Sequence, residues 1–324
     1  MRRTVLSVDD LHVQLALGDR TMNPVDGVTF QVAAGESLGI VGESGSGKSL
    51  SLKAVLGLLP PGGDSDGSIR FAFERGEISG DVEQVRGHGV AMVFQEPMTA
   101  LNPTMRVGEL IAEAVRVRSR LSRRAARERV VELMASVGIP DPARRARMWP
   151  HELSGGLRQR VMIAAALATE PELLLCDEPT TALDVTIQDQ ILGLLRRLRE
   201  ERGMAMVFVS HDLAVVAEVC DRVAVMYAGR IVETGPVDEV LRSPRHPYTA
   251  ALLASAPSFH GGGAALATIP GTPPDPRSFP TGCRFASRCA FVRDDCHRAP
   301  YTLAGDAHRA TACIHPEVLT EASA

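Results

Sequence analysis

A glycine-rich stretch at residues 42–49 has the residue types of a phosphate-binding loop. It reads GESGSGKS and matches the pattern G-x-x-x-x-G-K-[ST] in full. The glycines let backbone N–H groups turn inward around a phosphate chain, and a helix predicted to start near Gly47 points its positive end there. Lys48 is expected to reach the β- and γ-phosphates, and Ser49 to bind Mg²⁺. The predicted nucleotide-binding residues of this loop are Gly42, Glu43, Ser44, Gly45, Ser46, Gly47, Lys48 and Ser49.

Two adjacent carboxylates, Asp177 and Glu178, follow the apolar run LLLC. Such a run predicts a buried parallel strand, and ligands of open α/β sheets bind at the carboxyl ends of the strands. We expect Asp177 to hold Mg²⁺ through a water, and Glu178 to orient and deprotonate the attacking water. The alternative, that the pair only caps the next helix, is weaker beside a phosphate loop.

A second phosphate-binding helix start is predicted in the stretch LSGGLRQR. Ser154 is a suitable N-cap, and the glycines that follow it let a phosphate approach the backbone. This start lies about 105 residues after Ser49, and a single triphosphate needs only one such start. We therefore expect each site to be completed by another subunit, so that Lys48 of one chain and Ser154 of its partner contact the same nucleotide.

Four of the six cysteines lie near the end of the chain, separated by five, six and sixteen intervening residues. They are Cys283, Cys289, Cys296 and Cys313. No export signal is predicted, because Asp9 and Asp10 interrupt any apolar stretch after the first arginines, and the longest apolar runs are too short to span a membrane. A cytosolic chain favours metal binding or redox chemistry over disulfides. Structural zinc sites use tighter ligand pairs than these. Cys176 and Cys220 are interpreted as buried packing residues.

The elements that must position these residues alternate along the chain. Strand-like segments are predicted at 38–41, 90–94, 173–176 and 206–209, with helical stretches between them, which indicates an α/β fold with a mostly parallel sheet. Residues 104–168 are rich in helix-forming sequence and are interpreted as an inserted helical subdomain. A segment rich in glycine and proline, IPGTPPDPRSFP, then leads to the cysteines and is typical of a linker or strap.

The composition limits the class of partner. The 324 residues carry a net charge of −4, with 45% hydrophobic and 23% charged residues, which argues against a general nucleic-acid binder. Seven arginines lie between Arg116 and Arg129. Nucleic acid or anionic lipid is one interpretation of them. A solvated helix face is favoured, because no aromatic residues are interleaved.

Over residues 4–257 the sequence resembles the nucleotide-binding subunits of ABC transporters, P-loop ATPases with an antiparallel β subdomain. Further motifs of that family occur in order: Gln95 in VFQEP, Asp184 in TTALD and His211 in VFVSHD. The resemblance implies that Gln95 contacts Mg²⁺ with Ser49 and Asp177, that His211 contacts the γ-phosphate, and that Asp184 forms the D-loop. It also implies ATP hydrolysis with Glu178 and His211 as catalytic residues. The signature residues that would act across the dimer are Ser154, Gly155, Gly156 and Gln159.

One position departs from the family pattern. The family stacks adenine on an aromatic residue some 25 residues before the phosphate loop, whereas this chain has Leu15 there, in LHVQL. Apolar contact in place of stacking would cost about 1 kcal/mol of binding.

The end of the chain resembles the C-terminal extension of oligopeptide and dipeptide permease ATPases. The shared features are HPYT, the stretch PGTPPDP and the four cysteines, and residues 258–324 are predicted to form the extension. The resemblance implies peptide import, with nickel import as the near relative. It also favours a structural [4Fe–4S] cluster at the four cysteines, with Zn²⁺ as the alternative.

The implied assembly contains a second, related but non-identical ATPase subunit, two transmembrane permease subunits and an extracytoplasmic substrate-binding protein, and no nucleic acid. The chain would be peripheral, at the cytoplasmic face of the cell membrane. The competing hypothesis is a soluble ABC ATPase that acts on nucleic acid or ribosomes. The single cassette and the absence of sustained heptads in the sequence disfavour it.

Overall fold

The computed structural model describes residues 2–18, 20–80, 82–119, 121–181, 183–256, 268–306 and 308–321. The predicted boundary between residues 257 and 258 lies outside these ranges. Two compact units are present: the first comprises residues 1–6, 32–36 and 71–207, and the second comprises residues 7–31, 37–70 and 208–324.

The strands alternate with helices along the chain, as predicted for an α/β protein. The strands are β1 (Thr4–Leu17), β2 (Arg20–Ala33), β3 (Ser37–Val41), β4 (Gly63–Phe73), β5 (Gly76–Ser79), β6 (Val90–Val93), β7 (Leu173–Asp177), β8 (Ala205–Ser210), β9 (Arg222–Tyr227), β10 (Arg230–Pro236), β11 (Ala304–Gly305) and β12 (Ala310–Thr311). The helices are α1 (Lys48–Val55), α2 (Pro97–Ala100), α3 (Val107–Arg118), α4 (Arg123–Ser136), α5 (Pro142–Arg145), α6 (Gly155–Leu167), α7 (Val185–Arg202), α8 (Leu213–Val219), α9 (Val237–Arg242), α10 (Pro247–Ser255) and α11 (Val318–Glu321). The four predicted strand segments correspond to β3, β6, β7 and β8 and are confirmed.

The second unit is built on a parallel pair, β3 and β9, in which Leu38 lies opposite Arg222 and Val41 opposite Val225. Both strands are almost continuously buried and apolar, as is typical of parallel strands covered on both faces. β10 continues this sheet antiparallel to β9, and β12 pairs with β10 where Glu233 lies opposite Thr311. The extension therefore contributes a strand to the sheet. Strands β2, β1 and β4 are neighbours in a separate sheet.

The first unit combines the parallel pair β6 and β7 with a group of packed helices. α3, α4 and α6 pack on one another. On α4 the buried side chains Ala126, Val130 and Leu133 recur every three or four residues and form one apolar stripe. The helices from α3 to α6 run from Val107 to Leu167, within the segment predicted to be an inserted helical subdomain.

The arginine-rich segment is not one helix. α3 ends at Arg118 and α4 begins at Arg123, with Ser122 as its N-cap. The Ser122 side chain accepts a hydrogen bond from the N–H of Ala125, which starts a new helix at this point. Among the described helices, none combines the length and the apolar character needed to cross a bilayer.

Candidate active site

The phosphate loop joins the carboxyl end of β3 to the first turn of α1. Gly47, the residue before α1, has a φ of 103°, and a Cβ there would lie 2.5 Å from the carbonyl oxygen of Pro24. Only glycine accommodates both that conformation and that approach. The loop is therefore held close to β2 by the absence of a side chain, and its backbone is free to surround a phosphate.

Lys48 lies at the centre of this loop and is 4% exposed. Its Nζ donates hydrogen bonds to the carbonyl oxygens of Gly42, at 2.8 Å, and Glu43, at 2.9 Å. A buried ammonium needs such partners because desolvation of a charge is costly. Ser49 is half-buried in the first turn of the same helix. The positive charge, the helix start and the hydroxyl thus lie together, as predicted for a nucleotide phosphate site.

The carboxylate pair lies in the first unit at the end of β7. Asp177 is the last residue of this strand and is 2% exposed, whereas Glu178 is partly exposed. Glu178 has a φ of 43°, which is uncommon for a residue with a side chain and is found at functional sites. Its Oε2 accepts a hydrogen bond from Thr181 Oγ1 at 2.8 Å. The two carboxylates therefore differ in environment, because Asp177 is buried and Glu178 is partly exposed.

The second phosphate-binding helix start is present at α6. Ser154 is its N-cap and is exposed, as is Gly155. Gly156 lies where α6 meets α7, because a Cβ there would lie 2.6 Å from Cγ2 of Ile187. Gln159 is only 1% exposed, and its Nε2 has no hydrogen-bond partner among the described residues. The Ser154 side chain thus makes no capping hydrogen bond at this exposed helix start, and the unsatisfied amide of Gln159 is buried one turn further along α6.

The other family-motif residues occupy loops next to these elements. Gln95 is exposed and lies between β6 and α2 in the first unit. Asp184 caps α7, since its Oδ1 accepts a hydrogen bond from the N–H of Ile187 at 3.0 Å. His211 is exposed at the end of β8, in the second unit. Leu15 lies half-buried on β1.

The four terminal cysteines line one cavity of the second unit, whose wall also includes Phe285, Phe291 and Tyr301. Residues separated by up to 30 positions are therefore brought to one place. Burial raises the pKa of the thiols of Cys283 and Cys289, and raises the pKa of Cys313 to about 11. Within this described segment, no three of the four sulfurs all lie within 4.8 Å of one another. Cys176 and Cys220 are buried elsewhere, as predicted.

A mixed group of possible ligands lies beside Cys296. Its sulfur, a carboxylate oxygen of Asp295 and a ring nitrogen of His315 lie within 4.8 Å of one another. Oδ2 of Asp295 and Nε2 of His315 also lie within hydrogen-bond distance, at 2.8 Å. No pattern in the sequence had indicated His315.

Two residues near the phosphate loop were not predicted from the sequence. The guanidinium of Arg288 forms two hydrogen bonds with the carboxylate of Glu43, at 2.7 and 2.9 Å, and these bonds raise the pKa of Arg288. The hydroxyl of Tyr248, on α10, accepts a hydrogen bond from the N–H of Glu43 at 2.8 Å. The sequence did contain one indication of such a contact, namely Glu43, because a carboxylate in a phosphate loop is stabilised by a nearby cation.

Asp26 of β2 provides another tie to the extension. Its Oδ2 accepts from Arg230 at 2.7 Å and also pairs with Arg284, whose guanidinium lies 3.7 Å from the ring centre of Phe279. Burial by itself would raise the pKa of Asp26, but the two arginines outweigh it and hold this pKa below its usual value. The extension is thus joined by charge to the cassette strands of the same unit.

Comparison with known proteins gives two family matches. Residues 25–181 match the family described as ABC transporter, and residues 232–296 match the C-terminal region of oligopeptide/dipeptide transporters.

The chain is 45% identical to the dipeptide transport ATP-binding protein DppD of Bacillus subtilis, over 94% of this chain and 92% of the relative. It is 47% identical to the oligopeptide transport ATP-binding protein OppD of the same organism, over 97% and 90%. Among solved structures, the ATP-binding cassette MJ0796, in a dimeric post-hydrolysis state bound to ADP and Pi, is similar with a TM-score of 0.62 and 28% identity. That similarity covers 72% of this chain and 98% of the cassette.

Proposed function

The chain belongs to the ATP-binding proteins of ABC transporters, within the dipeptide and oligopeptide group, and on that premise we propose that it hydrolyses ATP to power peptide import through a membrane permease. The observation that carries the proposal is the contact between residues 232–296 and the phosphate loop, where Arg288 and Tyr248 both contact Glu43. The part of the chain that matches peptide transporters is thereby tied to the part that binds ATP and Mg²⁺.

Uptake in reconstituted vesicles tests the transported substrate. The chain, purified with the permease subunits and the binding protein of its gene neighbourhood, is expected to drive ATP-dependent uptake of labelled di- or oligopeptides. Uptake of Ni²⁺ without peptide uptake would support the nickel alternative and contradict peptide import. A pull-down from the same preparation identifies the second ATPase subunit, which we expect to be a related chain.

We propose the catalytic roles from the family motifs, and the environment of each residue within its own unit supports them. Lys48 and Ser49 bind the phosphates and Mg²⁺, with Asp177 and Gln95 completing the metal's surroundings. Glu178 acts as general base toward the attacking water, and His211 contacts the γ-phosphate. The buried position of Asp177 suits a metal-bound carboxylate, and the positive φ of Glu178 suits a residue held in a fixed orientation.

Replacing the base tests this assignment. Glu178→Gln is expected to retain ATP binding and to reduce turnover by about 10²–10⁴-fold, the usual contribution of a general base. The variant complex should also remain in the closed, ATP-bound form, because the nucleotide persists. Glu201→Gln, the same change at an exposed carboxylate near the end of α7, is the matched control and should keep wild-type turnover. Wild-type turnover by Glu178→Gln would contradict the assignment.

The composite site is the second element of the proposal. The exposed Ser154 and Gly155, together with Gly156, form a helix start suited to a phosphate carried by another subunit, and Gln159 is buried one turn further along the helix. Asp184 would lie at the same dimer contact. Closure of two cassettes on two MgATP molecules would then move the permease, and hydrolysis would separate them through charge repulsion.

Two metal centres can be held by four cysteines that line one cavity, namely an iron–sulfur cluster and a single zinc ion. Zinc bound by four thiolates at about 2.3 Å requires sulfurs roughly 3.8 Å apart. No three of these sulfurs meet even a 4.8 Å limit. A four-iron cluster binds each thiolate at a different iron, so its ligands stand further apart. We propose that Cys283, Cys289, Cys296 and Cys313 hold a [4Fe–4S] cluster whose role is structural, ordering the extension.

Metal analysis tests the cluster. Anaerobically purified protein is expected to be brown, to absorb near 400 nm and to contain about four irons per chain. Cys313→Ala should lose the iron, and the matched control Cys220→Ala should keep it. If the protein instead contains one zinc, which is retained in Cys283→Ala and lost in His315→Ala, the metal lies at the mixed group of Asp295, Cys296 and His315. No metal, with all four thiols alkylated in the native protein, would contradict any metal site.

A further inference from the structure

The second residue of the phosphate loop, Glu43, carries a negative charge next to a site for a polyphosphate. Its carboxylate is one-quarter exposed and is held by Arg288 through two parallel hydrogen bonds. We propose that Arg288 is a positioning residue for ATP: it neutralises Glu43 and holds this carboxylate away from the phosphates. The inference rests on the proposed binding of ATP at residues 42–49.

The charge balance of the loop explains why such a residue is needed. Lys48 supplies the one cationic side chain within residues 42–49, and the carboxylate of Glu43 offsets it. An unpaired carboxylate in the loop would repel the phosphate chain, and partly buried charges are screened less than exposed ones. Pairing with a guanidinium removes this repulsion and leaves the charge of Lys48 available to the ligand.

Arg288 is well suited to this task because every part of its guanidinium is fixed. The side chain is 3% exposed, and its Nε donates to the carbonyl oxygen of Pro270 at 2.7 Å. Its Nη1 also lies 3.3 Å from the hydroxyl of Tyr227. These contacts orient the planar fork toward the two oxygens of Glu43, a geometry that a lysine ammonium does not reproduce.

The backbone of Glu43 is held from the same side of the molecule. Its N–H donates to Tyr248, whose ring packs against Tyr227 with centroids 4.5 Å apart. Prolines of the strap line a small pocket with Ser44 and Gly45. Because Arg288 immediately precedes Cys289, the fold of the cysteine segment reaches the phosphate loop through a single side chain.

Four variants in the full transporter complex test the proposal by charge removal. We expect Arg288→Ala to raise the dissociation constant and the KM for ATP by about tenfold, with kcat at saturating ATP changed less than about twofold. Glu43→Gln alone should weaken ATP binding less than Arg288→Ala does, because it removes the carboxylate instead of leaving it unpaired. The double variant Glu43→Gln/Arg288→Ala should recover most of the affinity, because the repelling charge is gone. Arg277→Ala is the matched control, since it removes another two-bond arginine–carboxylate pair of the extension, with Asp275.

The pattern of recovery separates positioning from mere support of the fold. A purely structural role would leave the double variant as weak as Arg288→Ala, and that result would overturn the proposal. Unchanged affinity in Arg288→Ala, or equal weakening in Arg277→Ala, would overturn it as well. If Arg288→Ala does not fold, Arg288→Lys takes its place. The ATP affinity of Arg288→Lys is then compared with that of Glu43→Gln/Arg288→Lys. A wild-type complex that binds no ATP would contradict the proposed function instead.

Discussion

Removing the Tyr248 hydroxyl tests whether its hydrogen bond to Glu43 stabilises the phosphate loop. In Tyr248→Phe the ring keeps its packing against Tyr227 and Phe285, at 4.5 and 5.4 Å between centroids. Only the acceptor of the Glu43 N–H, 2.8 Å away, is lost. The substitution therefore isolates a single hydrogen bond.

The expected magnitude follows from the burial of the two groups. An N–H left without an acceptor costs about 1–3 kcal/mol when it is buried. Tyr248 is fully buried, but Glu43 is partly exposed, so water can compensate in part and we expect about 1–1.5 kcal/mol. For a domain of this size that corresponds to a fall in Tm of about 2–5 °C. Loosening of the loop should raise the dissociation constant for ATP about three- to tenfold.

The assay pairs thermal unfolding with ATP titration, and Tyr301→Phe is the matched control. The Tyr301 hydroxyl donates to the carbonyl oxygen of Ile231 at 2.7 Å, in the same unit but at a different strand. Its loss should lower Tm by a similar amount and leave ATP affinity unchanged. If both variants weaken ATP binding equally, or if Tyr248→Phe changes neither quantity, the hydrogen bond does not hold the loop and the reasoning is refuted.

Three further predictions concern the assembly and the buried charges. If the subunits are identical, mixing a Lys48→Ala chain with a Ser154→Arg chain should restore one composite site and measurable hydrolysis. In a heterodimer the two changes must be divided between the partners. Full activity of a strict monomer would contradict the composite site. Asp26→Asn should cost about 1 kcal/mol of unfolding free energy at pH 7. Because the folded-state pKa of Asp26 is lowered, this contribution is present above the unfolded-state pKa near 4 and is lost as pH falls through the folded-state pKa. The urea unfolding curves of wild type and Asp26→Asn should therefore converge in acid. A difference that stays constant with pH would contradict the ion pair. Arg309→Met should lower the free energy of unfolding by about 3 kcal/mol, because it leaves the fully buried Glu233 without its cation. The double variant Glu233→Gln/Arg309→Met should recover much of that loss in the same urea assay.

Local sequence patterns were sufficient where the chemistry itself is local. The phosphate loop, the apolar strand before Asp177 and the helix after Ser154 each lie within about ten consecutive residues, and the structure forms all three elements. Glycine spacing, strand burial and helix capping act over such short distances, so a single segment indicates them. The same applies to the alternation of strands and helices, which confirmed the α/β class.

Contacts between distant residues could not be predicted in this way. Arg288 and Glu43 are 245 positions apart, and no periodicity connects them. The stretch before the cysteines was interpreted as a linker or strap, yet Phe285 of the cysteine segment is buried between Tyr227 and Tyr248. Such packing depends on tertiary contacts that composition does not reveal. The break between α3 and α4 was missed because a run of arginines hides the cap at Ser122.

The contact between Arg288 and Glu43 also has a consequence for biosynthesis. At about 5–20 residues per second, a ribosome adds Arg288 roughly 12–50 s after Glu43, given the 245 positions between them. During that interval the nascent cassette has its phosphate loop but not the arginine that neutralises the loop's carboxylate. If Arg288 positions Glu43 as proposed, a nascent or truncated chain that lacks residue 288 would bind ATP about tenfold more weakly than the finished chain.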